Sequence, residues 1–408
     1  MTQTKKLKVL ISLLYYFPHR TGLTIHVQRV AEELVRRGHE VTVLTARYKN
    51  DLPRDDFSMH EGVRVVRLWA PIRLSRGMIM PMYPLAALKL MKEHDVISIH
   101  TPMLETALIA GISKLTNRPL IITHHGDLVL PDGFANRLIR ETMFAMYKIA
   151  AKRASKILAY SKDYADNSYY LKPFKSKVQP VYPPILMPEP NPEKVRQLRE
   201  AWSKDGGPII GYAGRFVQEK RPDLLIKALS VINQTYPNAR VVFCGEYDIP
   251  YEDTWTREQP LVNQYKDQLI FLGLREDPQD MADFYAACDV LALPSDTECF
   301  ALVQVEAMLC GTPVVMTNIP GGRVPVQVTQ MGKLAEAGNS DSIGTALVDV
   351  LQNLNHYTKT RLEIMDIFSF PETVNHYEAV MLEAVNHNRP TSQGQLPIPE
   401  PAPQRNTK

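Results

Sequence analysis

The stretch that decides the fold spans residues 8–45, KVLISLLYYFPHRTGLTIHVQRVAEELVRRGHEVTVLT. Its opening run, residues 8–16, is short and apolar, fit for a strand buried on both faces. A loop with Pro18 and Gly22 follows. Val27, Val30, Ala31, Leu34 and Val35 then recur at i, i+3, i+4, i+7 and i+8, which predicts an amphipathic helix closed by Gly38. Residues 39–45 predict the next strand. Strand, helix and strand joined by short links make a βαβ unit, and such a unit demands a parallel sheet.

The alternation continues on both sides of a break. Residues 63–68, 96–99, 120–123 and 156–160 read as strands, with helical patterns over 83–93, 104–115 and 136–153. Residues 181–192, VYPPILMPEPNP, cannot continue a helix or a central strand and read as a linker. The pattern then restarts, with strands at 208–213, 240–244, 269–272, 290–293 and 313–316 and a helix at 223–232. The expected architecture is α/β, two Rossmann-like doubly wound parallel-sheet domains facing across a cleft. The expected partition is 1–182 for the first domain, 183–207 for the Pro-rich linker and approach to the second, and 208–370 for the second domain. A final helix over 371–388 and a disordered tail over 389–408, rich in Pro and Gln, complete it.

Composition narrows the class. With 408 residues, 45% hydrophobic and 22% charged, the chain is neither wholly disordered nor fibrous. No apolar run approaches the ~18 residues of a membrane span, and residues 1–8 are polar, so the expected location is cytoplasmic. Cys244, Cys288, Cys299 and Cys310 lack metal-clip spacing and are expected to be free thiols. The net charge of +3 hides a split: residues 1–190 hold 28 Lys and Arg against 16 Asp and Glu, and the remainder 19 against 28. No helix-turn-helix, zinc or RNA-binding signature accompanies the basic half, so nucleic acid is not an expected partner.

Two segments carry chemistry. In PSDTECFALVQVEAMLCGTPVV, residues 294–315, a strand enters a polar turn and a helix follows over about 300–310. Glu298 stands ahead of that helix and Glu306 two turns in, bordering the face of Leu302, Val305 and Leu309. Carboxylates so placed suit a hydroxyl-rich ligand, since they accept hydrogen bonds from vicinal hydroxyls, while a helix N-terminus accepts phosphate. By spacing alone Glu306 is equally a structural acid and Glu298 equally a solvated loop residue. In GYAGRFVQEK, residues 211–220, Gly214 permits close backbone approach, and Arg215 and Lys220 could clamp a diphosphate or be ordinary surface cations. Neither a G-x-G-x-x-G nor a P-loop is present, which removes support from hydride transfer and Walker-type ATP hydrolysis.

Taken together, these segments resemble the glycosyltransferase family 4 group, nucleotide-sugar enzymes of GT-B fold. The resemblance runs from about residue 8 to 387. ECFALVQVE (298–306) looks like the group's E-x7-E element and GRFVQEK its phosphate element. ITHHGD (122–127), YSKDY (160–164), NIPGGR (318–323) and the first loop, helix and RGHEV strand fit as well. The resemblance implies retention at the anomeric carbon, no metal or other cofactor, and a hydroxyl acceptor, lipid-linked or a growing glycan. It assigns Arg215 and Lys220 to the donor diphosphate, Glu306 to the ribose, Glu298 to the transferred sugar, and His125 to an approach from the first domain. Gly22, Gly214, Phe300, Ala301 and Leu302 join the donor-binding set.

The chain departs from the group's pattern at Thr21, where a glycine is common, at Cys299 and Ala301 in place of glycines, and at Arg221 after the Glu-Lys pair. His124 and His125 compete for the cleft position. The helix over 136–153 interleaves Arg137, Arg140, Lys148, Lys152 and Arg153 with Leu138, Ile139, Phe144, Met146 and Ile149. It can lie on an anionic membrane, at the inner face, or pack on a core with a solvated face. The alternatives to a transferase are a nucleotide-sugar epimerase, which needs no acceptor, and a catalytically idle nucleotide-sugar-binding scaffold.

Overall fold

A computed structural model describes residues 5–53, 58–74, 77–128, 133–249 and 252–388. The expected tail, 389–408, lies outside the described residues. In the first sheet the strands are β1 (Lys8–Ser12), β2 (Glu40–Arg47), β3 (Ser58–His60), β4 (Val63–Trp69), β7 (Val96–Thr101), β8 (Leu120–His124), β9 (Lys156–Ala159) and β10 (Val178–Pro180), with β5 (Ile72–Leu74) and β6 (Gly77–Ile79) forming a separate hairpin. The sheet order is β10-β9-β8-β7-β1-β2-β4-β3, parallel throughout except at the β3–β4 edge. The second sheet joins β11 (Ile209–Ala213), β12 (Arg240–Cys244), β13 (Leu269–Gly273), β14 (Val290–Leu293), β15 (Val314–Thr317) and β16 (Gly332–Ala335) in the order β13-β12-β11-β14-β15-β16, all parallel.

Burial on both faces explains why these strands read as unbroken apolar runs. On β1, Val9 and Ile11 pack to one side with α1 (Gly22–Arg36), while Leu10 packs to the other with α2 (Tyr83–Glu93), α3 (Thr106–Leu115) and α4 (Phe134–Arg153). The second domain repeats the arrangement. Ile210 and Tyr212 meet the helix Pro222–Ile232 on one face, and Ile209 and Ala213 face the opposite core.

Boundaries differ from the sequence reading in informative places. β1 ends at Ser12, where its hydroxyl lies 2.5 Å from that of Tyr83, rather than running on to residue 16. The stretch set aside as linker contains the helix Pro192–Trp202, started by Asn191, whose side chain accepts from the N–H groups of Glu193 and Lys194. Its Trp202 is buried in the second domain's core. The three-residue strands at 58–60 and 178–180 are too short to show a periodicity.

Both sheets are built outward from their first strand in two directions. The chain reverses between β1 and β7 in the first domain and between β11 and β14 in the second. Crevices for ligands open at the carboxyl ends of strands at such switch points. The last helix, Phe370–His387, leaves the second domain and packs on α1, burying Val374, Tyr377, Val380 and Met381 with the first domain's core. His26 and Tyr377 share a 2.9 Å hydrogen bond there, and Arg37 Nη1 reaches Glu378 Oε2 at 2.9 Å.

Candidate active site

At the second domain's switch point the two segments singled out in the sequence meet. Lys220 Nζ lies 2.6 Å from Glu298 Oε1, and Ser295 Oγ donates to the same oxygen at 3.0 Å. Thr317 Oγ1 in turn holds the carbonyl of Ser295 at 2.5 Å, so the turn that carries Glu298 is fastened to β15. Arg215 Nη2 is 3.3 Å from Glu219 Oε1, half-exposed at the same mouth. Glu298 also forms an isolated parallel bridge with Gly321.

Helix α5, here Leu302–Leu309, begins two residues later than the sequence pattern suggested. The reason is Ala301, whose φ of 57° and ψ of 79° put it in the left-handed region. That conformation suits glycine, and it costs an alanine roughly 1 kcal/mol. Arg221 does the same at the mouth of the helix Pro222–Ile232, with φ 48° and ψ 48°. Ala301 and Arg221 therefore both hold a backbone that a glycine would adopt most easily. Thr21 has a different use: it caps α1, accepting from the Thr24 N–H while the Thr24 hydroxyl accepts from its own N–H.

Glu306 points from α5 into a buried setting. Tyr285 donates its hydroxyl to Glu306 Oε2 at 3.2 Å. Burial pushes the Glu306 carboxyl above its ordinary range, and Arg29 of the first domain pulls it back down. Arg29 spends two of its N–H groups on the carbonyls of Pro184 and Leu186, at 2.9 and 2.8 Å, tying α1 to the inter-domain crossing. Tyr285 and Arg29 were not among the sequence candidates. Phe300 is fully buried against Tyr160, Tyr182 and Phe368, which makes it a packing residue behind the site.

The first domain closes on this mouth. A Cβ on Gly22 would stand 3.3 Å from Leu302 Cδ1, and one on Gly126 only 2.5 Å from Cys299 Sγ. Gly126 also has a φ of 155°, so a side chain there would be strained and would displace Cys299 across the cleft. Asp163 receives the Arg323 guanidinium at 2.5 and 3.0 Å and the Gly321 N–H at 2.8 Å.

The structure does not bring His125 to the cleft with a free ring nitrogen. Nε2 lies 2.8 Å from His100 Nδ1, and Nδ1 is in contact with the Tyr160 hydroxyl. His124 is likewise engaged, with Thr101 and Asp127 at 3.0 Å each. Burial, with neighbouring imidazoles, drives the His125 pKa well below its ordinary value, so the ring is neutral. His26, His100 and His125 each place a ring nitrogen within 4.8 Å of the others, close enough to share a divalent cation. His26 Nδ1 is buried without a hydrogen-bond partner. The remaining ring nitrogens are bonded to one another or to Ser98, Tyr160 and Tyr377.

Comparison with known proteins decides the family. The family model described as Glycosyltransferase Family 4 matches residues 20–185, and that described as Glycosyl transferases group 1 matches residues 194–363. The chain belongs to the family 4 glycosyltransferases. Among its relatives, the 2-deoxystreptamine N-acetyl-D-glucosaminyltransferase of Streptomyces fradiae is 26% identical over 90% of each chain. The GDP-mannose-dependent alpha-(1-6)-phosphatidylinositol monomannoside mannosyltransferase of Mycolicibacterium smegmatis is 24% identical over 82% of this chain and 86% of that one. The crystal structure of Anabaena Alr3699/HepE in complex with UDP-glucose superposes with a TM-score of 0.73 at 19% identity, over 93% of this chain and all of that one. This family 4 glycosyltransferase thus has the GT-B architecture, and among the described residues no helix is long and apolar enough to cross a membrane.

Proposed function

We propose that this enzyme transfers a sugar from a nucleoside-diphosphate donor to a hydroxyl acceptor with retention and without a metal. The observation that carries the reading is the Lys220–Glu298 pair, with Arg215 beside it, at the strand switch point of the second domain. Lys220 and Arg215 supply two positive charges to a departing diphosphate, the role a metal fills elsewhere. Glu306, steadied by Tyr285, takes the ribose hydroxyls, and Glu298 takes hydroxyls of the transferred sugar once Lys220 turns to phosphate. Gly22, Gly214 and the backbone at Phe300, Ala301 and Leu302 line the donor. In the retaining step the bond from the anomeric carbon to the leaving phosphate oxygen breaks, and the acceptor oxygen bonds to that carbon on the same face. The acceptor's proton passes to the leaving phosphate. His125 takes part when a sugar hydroxyl replaces its bond to Tyr160 or His100.

The acceptor is a lipid-linked hydroxyl or growing glycan at an anionic membrane on the cytoplasmic side. The support lies on α4, which buries Met143, Phe144, Tyr147 and Ala150 yet exposes Phe134, Leu138 and Ile149 beside Arg137, Lys148 and Lys152. A helix with one face in the core and a second, apolar and basic, in solvent fits a bilayer surface. The M. smegmatis relative, named for a phosphatidylinositol monomannoside, fits the same reading. The test is a panel of UDP-, GDP- and ADP-sugars incubated with the purified protein and vesicles. Release of one nucleoside diphosphate with an α-linked product from an α-linked donor is expected. Release from none, with no thermal shift by any nucleotide, overturns the reading.

A further inference from the structure

The first domain buries three histidines against one another. His26 comes from α1, His100 from β7 and His125 from the residue that follows β8. His26 and His100 are 1% exposed and His125 is 8% exposed. Their ring centroids are 4.9, 5.1 and 6.0 Å apart, and one ring nitrogen of each lies within 4.8 Å of the other two.

Each ring is backed by a hydroxyl. His26 Nε2 meets that of Tyr377 at 2.9 Å, His125 Nδ1 is in contact with that of Tyr160, and His100 Nε2 lies 3.4 Å from that of Ser98. One nitrogen on each ring is then left over. His100 Nδ1 and His125 Nε2 share a single hydrogen bond of 2.8 Å, and His26 Nδ1 is buried without a hydrogen-bond partner. Leaving a buried polar atom unbonded costs on the order of 1–3 kcal/mol, and a bound ion or water is a common reason for one to persist. Among the described residues no carboxylate bonds any of the three rings.

We propose that His26, His100 and His125 form a site for a transition-metal ion of the zinc class, and that the bound ion switches the enzyme off. Imidazole nitrogens suit zinc, copper and nickel, whereas magnesium and calcium demand oxygen ligands, so the donor set selects the former. Zn–N bonds of about 2.0–2.1 Å in a tetrahedral site place the nitrogens about 3.4 Å apart. The 2.8 Å pair opens slightly and the third nitrogen draws in from 4.8 Å or less, by rotation of side chains. Coordination through His26 Nδ1, His100 Nδ1 and His125 Nε2 leaves each neutral ring its one proton, held on the nitrogen that faces Tyr377, Ser98 or Tyr160. Those hydroxyls become the supporting partners that fix ring and tautomer, and a water completes the four positions. Inhibition follows from His125. In the transferase reading above, His125 meets the sugar by giving up its bond to Tyr160 or His100, and a ring held by metal on one side and Tyr160 on the other does not. The inhibitory role rests on that reading; the metal site itself does not.

The test takes the full chain, stripped with a chelator and titrated with Co2+ and Zn2+. One equivalent of cobalt should give the visible d–d bands of a four-coordinate ion, without the near-ultraviolet charge-transfer band of a thiolate. Zinc should displace it, and a large excess of Mg2+ should not. H26Q and H100Q should each weaken zinc binding at least about 100-fold, the upper end of what loss of a mere supporting contact costs. H356Q, at an exposed histidine of the second domain, should bind zinc as the wild type does. Absence of the d–d bands, a thiolate band, displacement by Mg2+, or wild-type affinity in H26Q or H100Q overturns the site; the wild-type spectrum decides alone if neither variant folds. Nucleotide release from a panel of nucleotide-sugars is followed in parallel. Zinc should cut it several-fold in the wild type, and the chelator should restore it. Full turnover with zinc bound removes the inhibitory role and leaves the transferase reading standing. Zinc binding with no turnover in the stripped protein removes the transferase reading, and the inhibitory role with it, but leaves the metal site.

Discussion

Asp163 of the first domain and Arg323 of the second meet as a two-pronged ion pair across the cleft, at 2.5 and 3.0 Å. The same carboxylate holds the Gly321 N–H, and Gly321 bridges Glu298. Closure of the domains is therefore tied mechanically to the position of Glu298.

Removing that tie should loosen closure more than folding. Both side chains are about a quarter exposed, so the pair contributes only about 1 kcal/mol. D163A should raise the radius of gyration in small-angle scattering and raise the donor KM several-fold, with little change in the melting temperature. An unchanged scattering profile and KM would show that closure does not depend on the pair.

Lys220 and Glu298 should show coupling. K220A removes the cation from a mostly buried carboxylate and, in the proposed reaction, from the departing phosphate as well. Turnover should fall roughly 100-fold or more, and stability by about 1 kcal/mol. In K220A/E298A the stability should partly return while turnover stays low. Double-mutant analysis of melting and of nucleotide release reads both effects, and additive stability losses would mean the pair is not an interacting one.

Ala301 offers a gain. Since its φ is 57°, A301G should relieve strain and stabilise the second domain by up to about 1 kcal/mol, reduced by the greater freedom of glycine in the unfolded chain. R221G starts from a similar φ but gives up the Arg221–Asp223 ion pair at 2.9 Å, so its net effect should be near zero. Urea denaturation of the two variants distinguishes these outcomes.

Glu105 should leave a mark on the pH dependence of stability. Burial raises its carboxyl to about 7, and its Oε2 is buried without a hydrogen-bond partner. A raised carboxyl keeps its proton in the folded state over a range where the unfolded chain has lost it. Its favourable contribution is therefore complete below about 4.5 and declines as pH rises from there to about 7. E105Q should be more stable than the wild type at pH 8, by at most ~3 kcal/mol, with the difference nearly gone at about pH 4. Parallel denaturation curves at the two pH values test this.

The exposed face of α4 should matter only on membranes. Replacing Phe134, Leu138 and Ile149 by serine should reduce sedimentation with anionic vesicles several-fold and leave folding unaffected, since all three are more than half exposed. Equal sedimentation by the variant would assign the face to another partner.

What could be read in the sequence follows the range of the physics behind it. Strands buried on both faces announce themselves as apolar runs, so the two parallel sheets were legible from residues such as Val9 to Ser12 and Ile209 to Ala213. Arg215, Lys220 and Glu298 could be singled out because each stands at a strand end or helix mouth that the local pattern already defines, and Glu306 because it lies in the helix that follows Glu298. The contact between Lys220 and Glu298, 78 residues apart, was not, for it depends on β11 and β14 becoming neighbours. Arg29 sits in an amphipathic helix pattern that gives it no distinction, and its link to Glu306 exists only because the domains close. His125 shows the converse: its sequence context pointed to the cleft, while the packing of His100 and Tyr160 engages both its nitrogens.

The chain passes between the domains twice, first through the proline-rich stretch before Pro192 and again just ahead of the helix Phe370–His387. With that helix locked to the first domain through Tyr377 and Glu378, the two passages act like the two pins of a door. A single tether would let the domains swivel and slide in any direction. Two leave chiefly a swing about the line joining them, so each opening returns Arg323 to Asp163 and Leu302 to Gly22 along the same arc.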